Sequence, residues 1–217
     1  MTKTTLIPAI LTSDPEEIYE KLKFLETIPE IDVVHVDFAD GRLVPNSSVL
    51  PSALWPLETR LKLEAHLMVS DPQMYFHDLE HIGARRIILH YESFAKFMDL
   101  ETAIGNLKTM GFVPGIAVNP NTEISVIYKM LNEMEFVQVM GVYPGLQGQS
   151  LLGETFKRLE ALRHHYPDAL IQVDGGVNRE NIASIRSHGA DRVVVGSGIW
   201  HSQDPKARIY DLLEKIK

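Results

Sequence analysis

His35 and Asp37 stand two residues apart in the run Val33-Val34-His35-Val36-Asp37-Phe38-Ala39-Asp40-Gly41. Valine-rich sequence with period-2 alternation favours a strand, and residues two apart in a strand face the same way. An imidazole and a carboxylate therefore share one face, while Val34, Val36 and Phe38 share the other. Taken alone, the pair reads as a satisfied structural histidine beside an aspartate. It is not alone, because other short apolar runs close on His66, His90, Asn119 and Asp174. Two histidines and two carboxylates at one rim would suit a divalent transition metal, since paired carboxylates in a low-dielectric pocket repel unless a cation lies between them. Glu64 has the parity of His66 and could support a ligand from behind.

These residues need elements that converge. Thr5 to Leu11 reads as a first strand, and Ser13-Asp14-Pro15 opens a helix with Ile18, Leu22 and Leu25 on its apolar face. Ile31 to Asp37 is the second strand, Leu61 to Val69 the third and Arg86 to His90 the fourth. Residues 42–60 carry Pro45, Pro51 and Pro56 and are expected to be irregular. Helices are expected from Asp71 to about Ile82 and from Leu100 to Met110, stopped by Gly83 and Gly111. Strands Gly115 to Val118, Phe136 to Val142, Leu170 to Val173 and Arg192 to Val195 follow. Helices over Glu123 to Asn132, Glu154 to His165, Arg179 to Ser187 and Pro205 to Ile216 alternate with them. Eight such units in 217 residues point to a single-domain α/β fold spanning residues 1–217, a (β/α)8 TIM barrel. An open doubly wound sheet is the competing architecture, but no Gly-x-Gly-x-x-Gly follows the first strand.

Active sites of such barrels lie at the C-terminal strand ends, where His35, Asp37, His66, His90, Asn119 and Asp174 fall. The loops after strands seven and eight often bind phosphate through backbone N–H groups, and here they read Gly175-Gly176 and Gly196-Ser197-Gly198. Gly145 and Gly148, after strand six, could add another side to that cradle. Tight strand-to-helix turns would also require glycine. His77 and His81 lie four apart on an outer helix, a metal-capable spacing that reads better as a solvated face. His164, His165, His188 and His201 read as helix-end or surface residues, and Met68 and Met140 as core filler.

Composition narrows the partners. A 45% hydrophobic and 23% charged chain is ordinary for a globular protein. The lack of Cys excludes disulfides, thiolate metal sites and Cys nucleophiles. A net charge of -8 argues against a general nucleic-acid surface, though a locally positive site could hold a phosphorylated metabolite. No apolar run reaches membrane-span length and Met1 to Thr4 carries no signal-peptide pattern, so the expected setting is cytoplasmic, without membrane partners.

From Ile7 to Pro205 the chain resembles the ribulose-phosphate 3-epimerase family. The resemblance rests on His35-Val36-Asp37 with Asp40-Gly41, Val44-Pro45-Asn46 and His66-Leu67-Met68-Val69. It continues through Asn119-Pro120, Pro144-Gly145 with Gly148-Gln149, Val173-Asp174-Gly175-Gly176-Val177 and Gly196-Ser197. It implies a barrel of the ribulose-phosphate-binding type and one divalent metal per chain (Zn, Fe, Mn or Co) held by His35, Asp37, His66 and Asp174. It also implies Asp37 and Asp174 as acid and base on opposite faces of a ketose phosphate. Substrate and phosphate would be held by His66, Gly145, Gly148, Gly175, Gly176, Gly196 and Ser197. The family resemblance further implies a homo-oligomer.

The chain departs from the family at Ala9, usually Ser, and Ala39, usually Met. It also departs at Gly141, Gln147 and Tyr143, commonly Ser or Thr, Gly, and Asn or Glu. The acid–base and metal set is intact, so these departures bear on substrate choice. Ala9 and Ala39 are expected to leave a roomier pocket. The implied reaction interconverts ribulose 5-phosphate and xylulose 5-phosphate through an enediolate. The alternatives are a six-carbon ketose phosphate such as D-allulose 6-phosphate, or a non-catalytic phosphometabolite-binding relative. A decarboxylase resembling the orotidine-phosphate type would want a Lys where Phe38 and Ala39 stand.

Overall fold

Short runs rich in Val, Ile and Leu form eight strands: β1 Thr5–Ile10, β2 Val33–Ala39, β3 Lys62–Met68, β4 Arg86–His90, β5 Val113–Val118, β6 Phe136–Met140, β7 Leu170–Asp174 and β8 Arg192–Val195. The structure, a computed structural model, describes residues 4–217 apart from the side chain of Asn132. The strands pair in chain order and close into a barrel, as the alternation of strands and helices predicts. Apolar strand residues such as Ile7, Val34, Val36, Phe38, Leu67 and Val194 are buried, which a parallel sheet covered by helices requires. Of the expectation about Met1 to Thr4, the first three residues lie outside the described residues. Among the described residues no helix is long and apolar enough to cross a membrane.

Seven α-helices are described: α1 Pro15–Glu26, α2 Phe76–His81, α3 Phe97–Thr109, α4 Glu154–His165, α5 Ile182–Ser187, α6 Ser197–Trp200 and α7 Pro205–Lys215. Asp14 caps α1 by accepting from the Glu16 N–H, and Ile18, Leu22 and Leu25 form its buried face. Two expected helices change character. Residues Ile124–Glu133 are a 3-10 helix rather than an α-helix. No side chain caps that start, and its β-branched Ile124, Val126 and Ile127 fit an α-helix poorly. The segment after Asp71 begins as a 3-10 turn, Pro72–Tyr75, before α2. The helix expected from Arg179 starts at Ile182, because the Asn178 side chain accepts from the Glu180 and Asn181 N–H groups and holds a turn there.

Contacts within the chain gather into two halves, divided inside β1 and β5: Ala9–Ile116, and the residues up to Pro8 with Ala117–Lys217. In the first half β2 pairs with β3 in parallel, placing His35 beside Glu64 and Asp37 beside His66. The proline-interrupted stretch 42–60 contains a 3-10 turn, Pro51–Leu54, and an isolated antiparallel bridge from Ser47 to Asp40. Backbone bonds from the Ser48 and Val49 N–H groups to the Ala39 and Thr12 carbonyls hold it, with help from side chains. Ser48 Oγ donates to the Asp37 carbonyl at 2.8 Å and accepts from the Ala39 N–H at 2.9 Å. Asp40 accepts from the Arg42, Leu43 and Ser70 N–H groups. In the second half β6 pairs with β7, placing Gln138 beside Gln172 and Met140 beside Asp174. Arg158 reaches from α4 to the Asn119 and Pro120 carbonyls at 2.7 Å each, tying down the chain after β5.

Candidate active site

The in-register pairing of β2 with β3 explains the first cluster. Neighbours across a parallel sheet share a face, so β2 contributes His35 and Asp37, and β3 contributes Glu64 and His66. Both imidazoles and Glu64 are fully buried, while the Asp37 side chain keeps 11% of its surface exposed. His35 Nδ1 lies 2.8 Å from Glu64 Oε1, and its Nε2 lies 3.3 Å from Asp37 Oδ1. His66 Nδ1 lies 2.7 Å from the same Asp37 oxygen. Glu64 stands against the His35 ring, on the face its strand parity predicts.

The proton inventory decides what this cluster suits. An ionised Glu64 only accepts, so His35 carries its proton on Nδ1 and turns an Nε2 lone pair toward Asp37. Buried imidazole lone pairs aimed at a carboxylate oxygen repel it unless a positive charge intervenes. A proton on each ring would serve, and so would a divalent cation. Burial alone would raise the Asp37 pKa. With a proton on each ring and no cation between them, the charge of His35 and hydrogen bonds from His35 and His66 outweigh burial and hold the carboxyl well below its usual range.

Asp174 ends β7 and is 9% exposed. Gln138 donates to its Oδ2 at 3.0 Å, and Gln172 donates to the side-chain Oε1 of Gln138 at 2.8 Å. This pair of buried glutamines escaped the sequence reading. The available signal was polar residues recurring at 138, 172 and 174 within otherwise apolar strands. One ligand atom from each of His35, Asp37, His66 and Asp174 lies within 4.8 Å of the others. The donor set, two imidazoles and two carboxylates, fits a divalent ion such as Zn, Mn, Fe or Co.

The glycine loops are built differently. Gly175 and Gly176 have φ of 97° and 71°, a conformation costly to any other residue. A Cβ on Gly176 would stand 2.5 Å from the Leu151 nitrogen, and one on Gly175 would stand 2.4 Å from Val142 Cγ2. Gly198 packs so close to the Val177 carbonyl that its Cβ would lie 2.9 Å away, so the loops after β7 and β8 abut. Gly196 and Ser197 open the four-residue α6. Gly145 and Gly148 also adopt positive φ, and Gln149 braces their loop by donating to the Tyr143 and Leu146 carbonyls.

Other sequence candidates separate clearly. His90 is fully buried and reaches the cluster through His66. His77 and His81 lie on α2, as expected, where His81 stacks on Trp55 at 4.2 Å. Ala9 and Ala39 are buried, and Val44 and Met68 pack with Ala39, flanked by Leu11 and Leu43.

A closed parallel barrel whose strand ends bring imidazoles and carboxylates together defines a (β/α)8 enzyme with a metal-capable centre. A model of the ribulose-phosphate 3-epimerase family matches residues 5–200. Ribulose-phosphate 3-epimerase of Aquifex aeolicus is 34% identical over 210 residues, covering 94% of this chain and 92% of that protein. The Schizosaccharomyces pombe enzyme of the same name is 30% identical over 225 residues, covering 100% and 95%. Among solved structures, 3-hexulose-6-phosphate synthase from Salmonella typhimurium superposes with a TM-score of 0.72 at 16% identity, covering 98% of each chain. That likeness concerns the fold alone. The chain belongs to the ribulose-phosphate 3-epimerase family and is an isomerase of the carbohydrate-epimerase class.

Proposed function

We propose that this chain interconverts D-ribulose 5-phosphate and D-xylulose 5-phosphate, a reading supported by its likeness to proteins named ribulose-phosphate 3-epimerase. The observation that carries the reading is the approach of His35, Asp37, His66 and Asp174 to within 4.8 Å of one another. Inverting a carbon beside a ketone requires removing its proton on one face and returning one on the other. Asp37 and Asp174 take those two roles. An aspartate is ionised at neutral pH, the form a base needs. Gln138 fixes the carboxylate of Asp174 through Oδ2.

A divalent ion held by the four side chains would supply Lewis-acid stabilisation of the enediolate charge, worth several kcal/mol. His66, Gly145, Gly148, Gly175, Gly176, Gly196 and Ser197 bind the substrate and its phosphate. Holding the phosphate orients the sugar at a distance from the reacting carbon. The chain works as one barrel domain, in the cytoplasm and as a homo-oligomer.

The test is a panel of ketose phosphates in deuterated water with each of the four metals added singly. Deuterium should enter carbon 3 of ribulose 5-phosphate, with xylulose 5-phosphate formed. A larger kcat/KM on D-allulose 6-phosphate would move the assignment to six-carbon substrates. Exchange on none of the panel would favour a non-catalytic phosphometabolite binder. Restoring Ser at position 9 and Met at 39 should sharpen discrimination across the panel. No change would show that the two alanines do not widen the pocket.

A further inference from the structure

Behind His66 the structure continues where the four-residue centre stops. His66 Nε2 lies 2.7 Å from His90 Nε2, and His90 Nδ1 lies 3.3 Å from Glu92 Oε2. Both rings are fully buried and stack at 4.8 Å with 23° between their planes. We propose that His90, oriented by Glu92, is a positioning residue that sets the His66 tautomer and so presents Nδ1 as the metal-binding atom. This rests on the metal reading of the site and is independent of which sugar is turned over.

The argument is a count of protons. Glu92 as a carboxylate only accepts, so the His90 proton on that side sits on Nδ1. A neutral His90 then has a lone pair on Nε2. Two nitrogens 2.7 Å apart need one proton between them, and it must come from His66 Nε2. His66 is thereby left with a lone pair on Nδ1, the nitrogen 2.7 Å from Asp37. The chain Glu92–His90–His66 does for His66 what Glu64 does for His35 in one step. Metal-bound histidines commonly donate their second N–H to a partner that fixes ring and tautomer. The difference is that His66 has a second imidazole, not a carboxylate, as its immediate partner.

The experiment compares Zn and Co affinity of the full chain with His90→Phe, His90→Gln and Glu92→Gln, by competition with a chelator. His90→Phe keeps an aromatic ring against His66 but accepts nothing. It should weaken metal binding about 10–100-fold, the usual cost of losing a partner behind a ligand. His90→Gln, whose amide oxygen can accept from His66 Nε2, should recover most of that loss. Glu92→Gln should weaken binding by less than His90→Phe, because an amide oxygen still accepts from His90. Nitrogen-15 spectra of the Zn-loaded parent should show His66 protonated on Nε2. His90→Phe that folds and binds metal as tightly as the parent would overturn the proposal, as would His66 protonated on Nδ1. If His90→Phe does not fold, the decision passes to His90→Gln and the nitrogen-15 spectrum. His66 of the Zn-loaded His90→Gln variant should again carry its proton on Nε2. A parent chain that binds neither metal would remove the centre and this inference together. A metal-binding parent inactive on every sugar would fault only the function proposed above.

Discussion

The cluster on β2, β3 and β4 and the loops after β6, β7 and β8 are both built for chemistry, from opposite materials. The first is made of side chains. Both ring nitrogens of His35, His66 and His90 have a named partner at 2.7–3.3 Å. The second is made of backbone, with Gly175 and Gly176 in left-handed conformations and no room for a Cβ. The lesson is one of tolerance. A side-chain site should fail by loss of a proton acceptor or donor, with the fold intact. A backbone site should fail by strain, with stability lost alongside function.

The sharpest way to break the comparison is to remove one proton-transfer group. Asp37→Asn or Asp174→Asn should cut proton exchange at carbon 3 by at least about 10²–10⁴-fold while circular dichroism stays unchanged. Persisting exchange in both variants would take the two carboxylates out of the mechanism. Glu64→Gln comes next. It keeps the shape beside His35 but weakens the acceptor that fixes the ring, so Zn affinity should fall about 10–100-fold, read by chelator competition. Gly176→Ala should behave in the other way. Its φ of 71° costs about 1–2 kcal/mol for an L-residue, and contact with Leu151 adds to that. Its thermal midpoint should fall by several degrees. A Gly176→Ala variant with unchanged melting and lost phosphate binding would show that the strain argument is misplaced.

The smallest effect lies outside both regions, at Asp40. Burial would raise its pKa, but hydrogen bonds from Ser70, Arg42 and Leu43 outweigh burial and lower it. A carboxyl with a depressed folded pKa contributes stability above its unfolded value near 3.9, and that stability is lost as pH falls through the folded value. Denaturant midpoints should therefore decline below about pH 4, and Asp40→Asn should flatten part of that decline. An unchanged slope in the variant would show that the turn at Asp40 holds without its charge.

The barrel was legible because each strand is a short apolar run bounded by turn residues, and because buried parallel strands alternate with capped helices. The cluster on β2 and β3 was legible from parity. His35 with Asp37, and Glu64 with His66, keep period-2 spacing in apolar strands, and the register places them side by side. Three features were hidden for stated reasons. Residues 124–133 keep an apolar rhythm that suits α and 3-10 turns alike, so only the absent cap and the β-branched start separate them. The Gln138–Gln172 brace on Asp174 depends on pairing across β6 and β7, and glutamine alone signals no chemistry. His90 fell at a strand end as expected, yet its link to His66 runs diagonally across the sheet, where parity within one strand gives no guidance.

The central claim is that four side chains far apart in sequence share one cation. A crystal of the chain grown with Zn and measured at its absorption edge would decide it. One anomalous peak should lie about 2.0–2.2 Å from a nitrogen of His35, a nitrogen of His66 and oxygens of Asp37 and Asp174. A fully loaded peak held without Asp174, or placed away from this cluster, would contradict the account.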